Sequence, residues 1–214
     1  GYVLYAMLKK EFNFLEPFST AMGSMTFNNS ETRVKCFGVD SSNNPIANKN
    51  VEILFYNSEA DFAIKLKTKE GEEVILYKTT GENKSFEGNY EEIKKKQSSY
   101  SGKTTFGKED MLRVPFIKVN DEINYDELCG REIKNSKYYI KQALQTIDFE
   151  LNNVGGSVKS EAVIDSTQKV WTEKPRKMIF DSDFILYLKE ENKEQPYFAL
   201  KVDNTDVLVP DNVD

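Results

Sequence analysis

The residues able to do chemistry in this sequence are mostly carboxylates. Glu72-Glu73, Glu91-Glu92, Glu109-Asp110 and Glu190-Glu191 are adjacent pairs. A fold that brings two carboxyls together can run glycoside hydrolysis, one as acid and the other as base or nucleophile. All four pairs stand in polar, loop-like stretches, where charged side chains are mostly solvated, so they read as surface. The other catalytic groups are missing. There is no histidine, so neither a Ser-His-Asp triad nor a Cys-His pair can be built. Zinc loses its usual nitrogen ligand, and Cys36 and Cys129 cannot replace it. No Walker-type phosphate loop and no G-x-G-x-x-G turn occurs. The expectation is a protein that is not an enzyme, with no cofactor and no metal.

Composition narrows the partners. The net charge is −6, and no basic stripe with interleaved aromatics offers a nucleic-acid face. Lys94-Lys95-Lys96 follows Glu91 and Glu92, the order expected of a solvated helix end. No apolar run is long enough to span a membrane. Two cysteines do not make a disulfide framework. The first residues do not read as a signal peptide. The sequons Asn28-Asn29-Ser30 and Asn83-Lys84-Ser85 are the features that point to secretion. With 14 Phe and 11 Tyr, the chain is richer in aromatics than a helical bundle needs, and such side chains suit strands.

The elements that would position these groups are mainly strands. Residues 2–8 form a short apolar run. Residues 25–27 and 32–39 read as further strands, and 51–56 and 61–66 as a pair joined by Asn57-Ser58-Glu59-Ala60. In the second of that pair Phe62, Ile64 and Leu66 alternate with Asp61, Ala63 and Lys65. Residues 74–77 follow as a strand and 89–96 as a short helix. The Gly- and Ser-containing stretch 97–108 reads as a loop and as the best hinge between two parts of the chain. Residues 111–119 form one long strand with an edge or kink at Pro115, and 125–133 a short helix. Residues 138–151 are open: the first half suits a helix, while Ile147 and Phe149 alternate with Asp148 and Glu150. Residues 152–175 look like a long exposed connection. Residues 177–189 and 196–202 are strong strands joined in a hairpin. The fold class is α+β, mainly β sheets with a few short helices.

The last third carries a family resemblance. ALQTIDFE (143–150) precedes the long connection, and Met178-Ile179-Phe180 follows it. Then come DFILYL (183–188), a turn, PYFALKV (196–202) and Asp203-Asn204. This ordered set resembles the C-terminus of serpins. LRVPFIKVNDEINY (112–125) is similar to the serpin strand of pattern L-x-x-P-x-h-x-h followed by a short helix. Leu54-Phe55-Tyr56 stands where the family has a Leu-Pro-Tyr turn. VLYAMLKKEFNFLEPF (3–18) is similar to the strand that runs into an aromatic and a Pro-Phe pair.

The resemblance implies a serpin-like fold. Residues 1–214 would be a single serpin-like domain or the C-terminal part of one, with strands of sheets A, B and C, and 152–175 as the exposed reactive loop. It also implies an inhibitor of a serine protease, extracellular, whose loop is cut and inserts as a new strand in the main sheet. A separate N-terminal fragment of the same protein would be a second partner, because the helices that back the main sheet are missing from the match. Insertion needs alternate positions small or apolar. After the hinge glycines Gly155 and Gly156, the residues Val158, Ser160, Ala162 and Ile164 would point inward, and Lys159, Glu161, Val163 and Asp165 outward. Counting on from Gly155 by the family's spacing puts the reactive bond at Lys169-Val170, which suits a trypsin-like protease; counting back from Phe180 puts it near Thr172. Lys159 and Glu161 lie in the hinge, where charge slows or abolishes insertion. A non-inhibitory serpin-like binding protein is therefore the alternative, beside an unrelated β-rich secreted surface or binding module in which 152–175 is an ordinary loop.

Overall fold

The computed structural model describes residues 2–10, 13–39, 47–82, 84–154 and 174–212. Among the described residues twelve strands form three sheets, joined by one α-helix. A three-stranded sheet holds β1 (Tyr2–Lys10), β9 (Ile140–Leu151) and β8 (Ile117–Asn124), in the order β1-β9-β8. A four-stranded sheet runs β10 (Lys177–Ile179), β7 (Met111–Pro115), β3 (Arg33–Val39), β2 (Ser24–Thr26). A five-stranded sheet runs β12 (Phe198–Val202), β11 (Phe184–Glu190), β6 (Glu72–Lys78), β5 (Asp61–Lys67), β4 (Val51–Ser58). The helix, α1 (Phe86–Ser99), lies on the five-stranded sheet.

The period-2 pattern in β5 explains why that sheet is buried on both faces. Phe62, Ile64 and Leu66 enter the main core with Phe37, Val114, Phe149, Phe180 and Leu186, which come from all three sheets. Ala63 points the other way, with Phe55, Ile75, Tyr77 and Tyr187, into a second cluster closed by Tyr90 and Ile93 of α1. The helix is longer at both ends than residues 89–96. Ser85 caps its start by accepting from the Gly88 amide at 3.0 Å. At its end the hydroxyls of Ser98 and Ser99 donate back to the carbonyl of Lys95. Tyr187 and Tyr90 donate to the carbonyls of Phe86 and Glu194 and fix the helix on the sheet.

Three expectations are corrected. The stretch 111–119 is two strands: Pro115 has no amide to continue a ladder, so β7 ends there. Phe116 bonds to Lys35 and Val209, and β8 continues in a different sheet beside β9. Residues 125–133 contain only a single 3-10 turn, Asp126–Leu128. Gly130 at φ 80 turns the chain, and bonds between Ile133 and Tyr138 and between Ile140 and Arg131 close a hairpin arm. The apolar run 177–189 is broken at Asp181-Ser182-Asp183 into β10 and β11, which belong to different sheets. The open case, 138–151, is strand: Ala143, Ile147, Phe149 and Leu151 are buried on one side.

Candidate functional site: an anchored segment beside a parallel strand pair

β9 leads the chain out of the three-stranded sheet at Leu151, and β10 brings it back into the four-stranded sheet at Lys177. The hinge residues Gly155, Gly156, Val158, Ser160 and Ala162, the bond Lys169-Val170 and the alternative at Thr172 lie between them, outside the described residues. What is described is how the two ends are held.

At the departing end, Phe18 and Phe14 donate their amides to the carbonyls of Asn153 (2.8 Å) and Val154 (2.9 Å). The Asn152 side chain accepts from the Val154 amide at 2.9 Å and donates to Glu150 at 3.0 Å. At the returning end, Arg176 bonds Asp110 through Nη2 at 2.6 Å and donates to the carbonyl of Thr105 at 2.9 Å, to that of Lys103 and to the Tyr100 hydroxyl. The Arg176 amide donates to Asp110 Oδ1 at 2.9 Å, and its carbonyl accepts from Met111. Burial would lower the Arg176 pKa, but its bonds to Asp110 raise it above the ordinary value, so the guanidinium stays charged. The stretch 97–108 is thus stitched to its surroundings: the Thr104 carbonyl also accepts from Ile53 at 2.7 Å.

The strand that feeds the departing end is paired in parallel with β1, from Val3↔Gln142 to Lys10↔Phe149. β1 is an edge strand, with no neighbour on its other side among the described residues. Its side chains Val3 (56%), Tyr5 (57%) and Met7 (58%) are exposed, although the strand is apolar.

Several carboxylates of the adjacent pairs are held by lysine or arginine. Several were missed as buried partners of lysine or arginine. Glu73 is 8% exposed and bonds Lys65 at 3.1 Å and Lys189 at 2.8 Å. Glu72 takes Lys10 at 2.7 Å, and Asp110, 5% exposed, takes Arg176. Glu92 pairs with Lys84 and with Lys96, and Lys96 also reaches Asp61 at 2.8 Å, so the end of the lysine run is tied to the sheet. Arg176 itself carried one signal. This chain writes most basic positions as lysine, and arginine is the residue whose fork can hold a carboxylate and several carbonyls at once.

No group of three or more possible metal ligands occurs among the described residues. Cys36 is buried, which pushes its thiol pKa up, while Cys129 is exposed; both are free thiols. In the sequon at Asn28 both Asn28 (φ 49) and Asn29 (φ 56) are left-handed, and Ser30 donates to the Phe27 carbonyl at 2.9 Å. This is a two-residue turn that favours asparagine. The Asn28 amide nitrogen is committed to Asp183 at 2.7 Å and to the Asp203 carbonyl. No helix among the described residues is long and apolar enough to cross a membrane.

No protein-family model matches the sequence, and no curated protein does. Solved structures do. A serpin from the trematode Schistosoma haematobium is 15% identical with a TM-score of 0.61, over 94% of this chain and 56% of that one. The mouse protein-Z dependent protease inhibitor is 13% identical with a TM-score of 0.63, over 93% and 54%. Thyroxine-binding globulin in complex with thyroxine is 13% identical with a TM-score of 0.57, over 91% and 54%. The chain spans about half the length of the structures it matches. The protein has the fold of the C-terminal half of a serpin.

Proposed function

We propose that the protein is a serpin-like inhibitor of a trypsin-like serine protease, with residues 152–175 as bait. The observation that carries this reading is the parallel pairing of β1 with β9. A segment that leaves β9 and folds back runs antiparallel to it. Lying between β1 and β9, it would be antiparallel to both, exchanging one parallel ladder for two antiparallel ones, the more stable kind. Gly155-Gly156 supplies the turn. Val158, Ser160, Ala162 and Ile164 then face the side that already buries Ile147 and Phe149, while Lys159 and Glu161 stay in water. The protease serine attacks the Lys169 carbonyl, the bond to Val170 breaks and Val170 departs as a free amine. Insertion then carries the Lys169 acyl-enzyme away before water can hydrolyse it.

The charged hinge favours a second reading, a non-inhibitory serpin-like binding protein that is cut without trapping the protease, and the likeness to thyroxine-binding globulin is compatible with it. Under either reading the protein is not an enzyme and works extracellularly. A further partner is an N-terminal fragment of the same protein, seated along the open edge and exposed apolar side chains of β1.

Incubation with trypsin, read by denaturing gel and intact mass, tests the proposal. The expected result is a stable adduct at the summed mass with the cut after Lys169. Cleavage with no adduct would leave the binding-protein reading.

A further inference from the structure

The two feet of the segment 155–173 are held by different physics. The departing foot is held by hydrogen bonds from the Phe14 and Phe18 amides to the Val154 and Asn153 carbonyls, beside an Asn152 side chain bonded to Val154 and Glu150. The returning foot has a half-buried ion pair whose guanidinium is bonded to a carboxylate, a hydroxyl and two carbonyls. Beyond it β10 is short: three residues parallel to β7 at Lys177↔Met111, Met178↔Leu112 and Ile179↔Arg113, with no second strand neighbour among the described residues, and with further bonds from Lys78 to the Ile179 carbonyl and from the Lys177 amide to the Tyr56 hydroxyl.

We infer that Arg176 is the positioning residue that fixes the returning foot, and with it β10, to the body of the protein, with Asp110 as its preorganised partner. Asp110 has a hold independent of Arg176, because its Oδ2 also accepts from the Gly107 amide at 2.7 Å. The arginine fork reaches the Tyr100 hydroxyl at the C-terminal end of α1 and the connection 103–110, and the Arg176 backbone carbonyl accepts from the Met111 amide at the start of β7. A lysine offers a point charge and could not reach carboxylate and carbonyls together. If 155–173 is the bait, a consequence follows that rests on that reading: after a cut, the side leading from Val154 moves and the side leading into Arg176 stays.

The test is limited trypsin digestion of the whole protein, followed by intact mass. The Lys177-Met178 bond lies inside β10, with Met178 fully buried, so cutting there requires β10 to leave β7. Arg176→Gln removes the fork without adding a trypsin site, and Asp110→Asn removes the charge it grips. Both variants are expected to release the fragment beginning at Met178 about tenfold faster or more than wild type, the factor that loss of one charge-assisted hydrogen bond produces. Cutting after Lys177 at the wild-type rate in both variants would overturn the inference. Should Arg176→Gln be digested throughout, amide exchange in Asp110→Asn decides. Faster exchange confined to Lys177–Ile179 supports the anchor, and exchange equal to that of wild type sinks it. These readouts need no trapped protease, so this anchor and the inhibitor reading can fail separately.

Discussion

Glu92 shows how far single residues of this chain depart from the solvated surface their composition suggests. Hydrogen bonds from Lys84 and then Lys96 outweigh the cost of partial burial and bring its pKa from the ordinary 4.5 down to about 2. A value depressed in the folded state contributes stability that is fully present above pH 4.5 and lost as pH falls toward 2. The urea midpoint of Glu92→Gln is therefore expected below that of wild type at pH 6, with the gap closing by pH 2. A gap that stays constant over that range would mean the carboxylate is not held as described. At this scale the sequence spoke through what it lacks: without histidine, hydrolytic triads fall away. It did not show that Glu73 and Asp110 are buried, because burial of a carboxylate depends on a lysine or arginine arriving from a distant strand.

Among the elements, alternation was the reliable signal. β5 read correctly because its alternating residues pack into a core on each face, whereas the first half of β9 stayed open between helix and strand because Ile140–Thr146 has a single buried residue, Ala143. Breaks inside apolar runs were harder to see. The step at Phe116 from one sheet to another, and the turn at Asp181-Ser182-Asp183, are set by which sheet each half joins and not by local pattern. The β3–β7 pair shows how tightly such a junction is packed. A Cβ on Gly38 would sit 1.8 Å from the carbonyl oxygen of Leu112, an atom of the facing backbone that cannot rotate away. Gly38→Ala is expected to destabilise by about 3 kcal/mol or more, at the upper end for overpacking, as measured by urea unfolding. A loss under about 1 kcal/mol would show that β3 and β7 lie further apart than described.

At the scale of the molecule, the described residues form a five-stranded sheet backed by a helix, a four-stranded sheet, and a three-stranded sheet whose apolar edge strand β1 has no second neighbour among them. The order of strands and phenylalanines in residues 143–204 was enough to suggest this architecture, since Phe149, Phe180 and Phe184 all enter one core. The way the three-stranded sheet is left uncovered was legible only as a mismatch in length. The central claim is that a cut segment can enter this sheet between β1 and β9. The most direct measurement is the thermal midpoint of the protein, with any chain that pairs with it, before and after a single cut within residues 155–173. Insertion predicts that the cut form melts higher by about 5 °C or more, since roughly 1 kcal/mol moves the midpoint of a chain this size by about 2–4 °C. A cut form that melts at the same temperature or lower would contradict insertion and leave 152–175 an exposed connection.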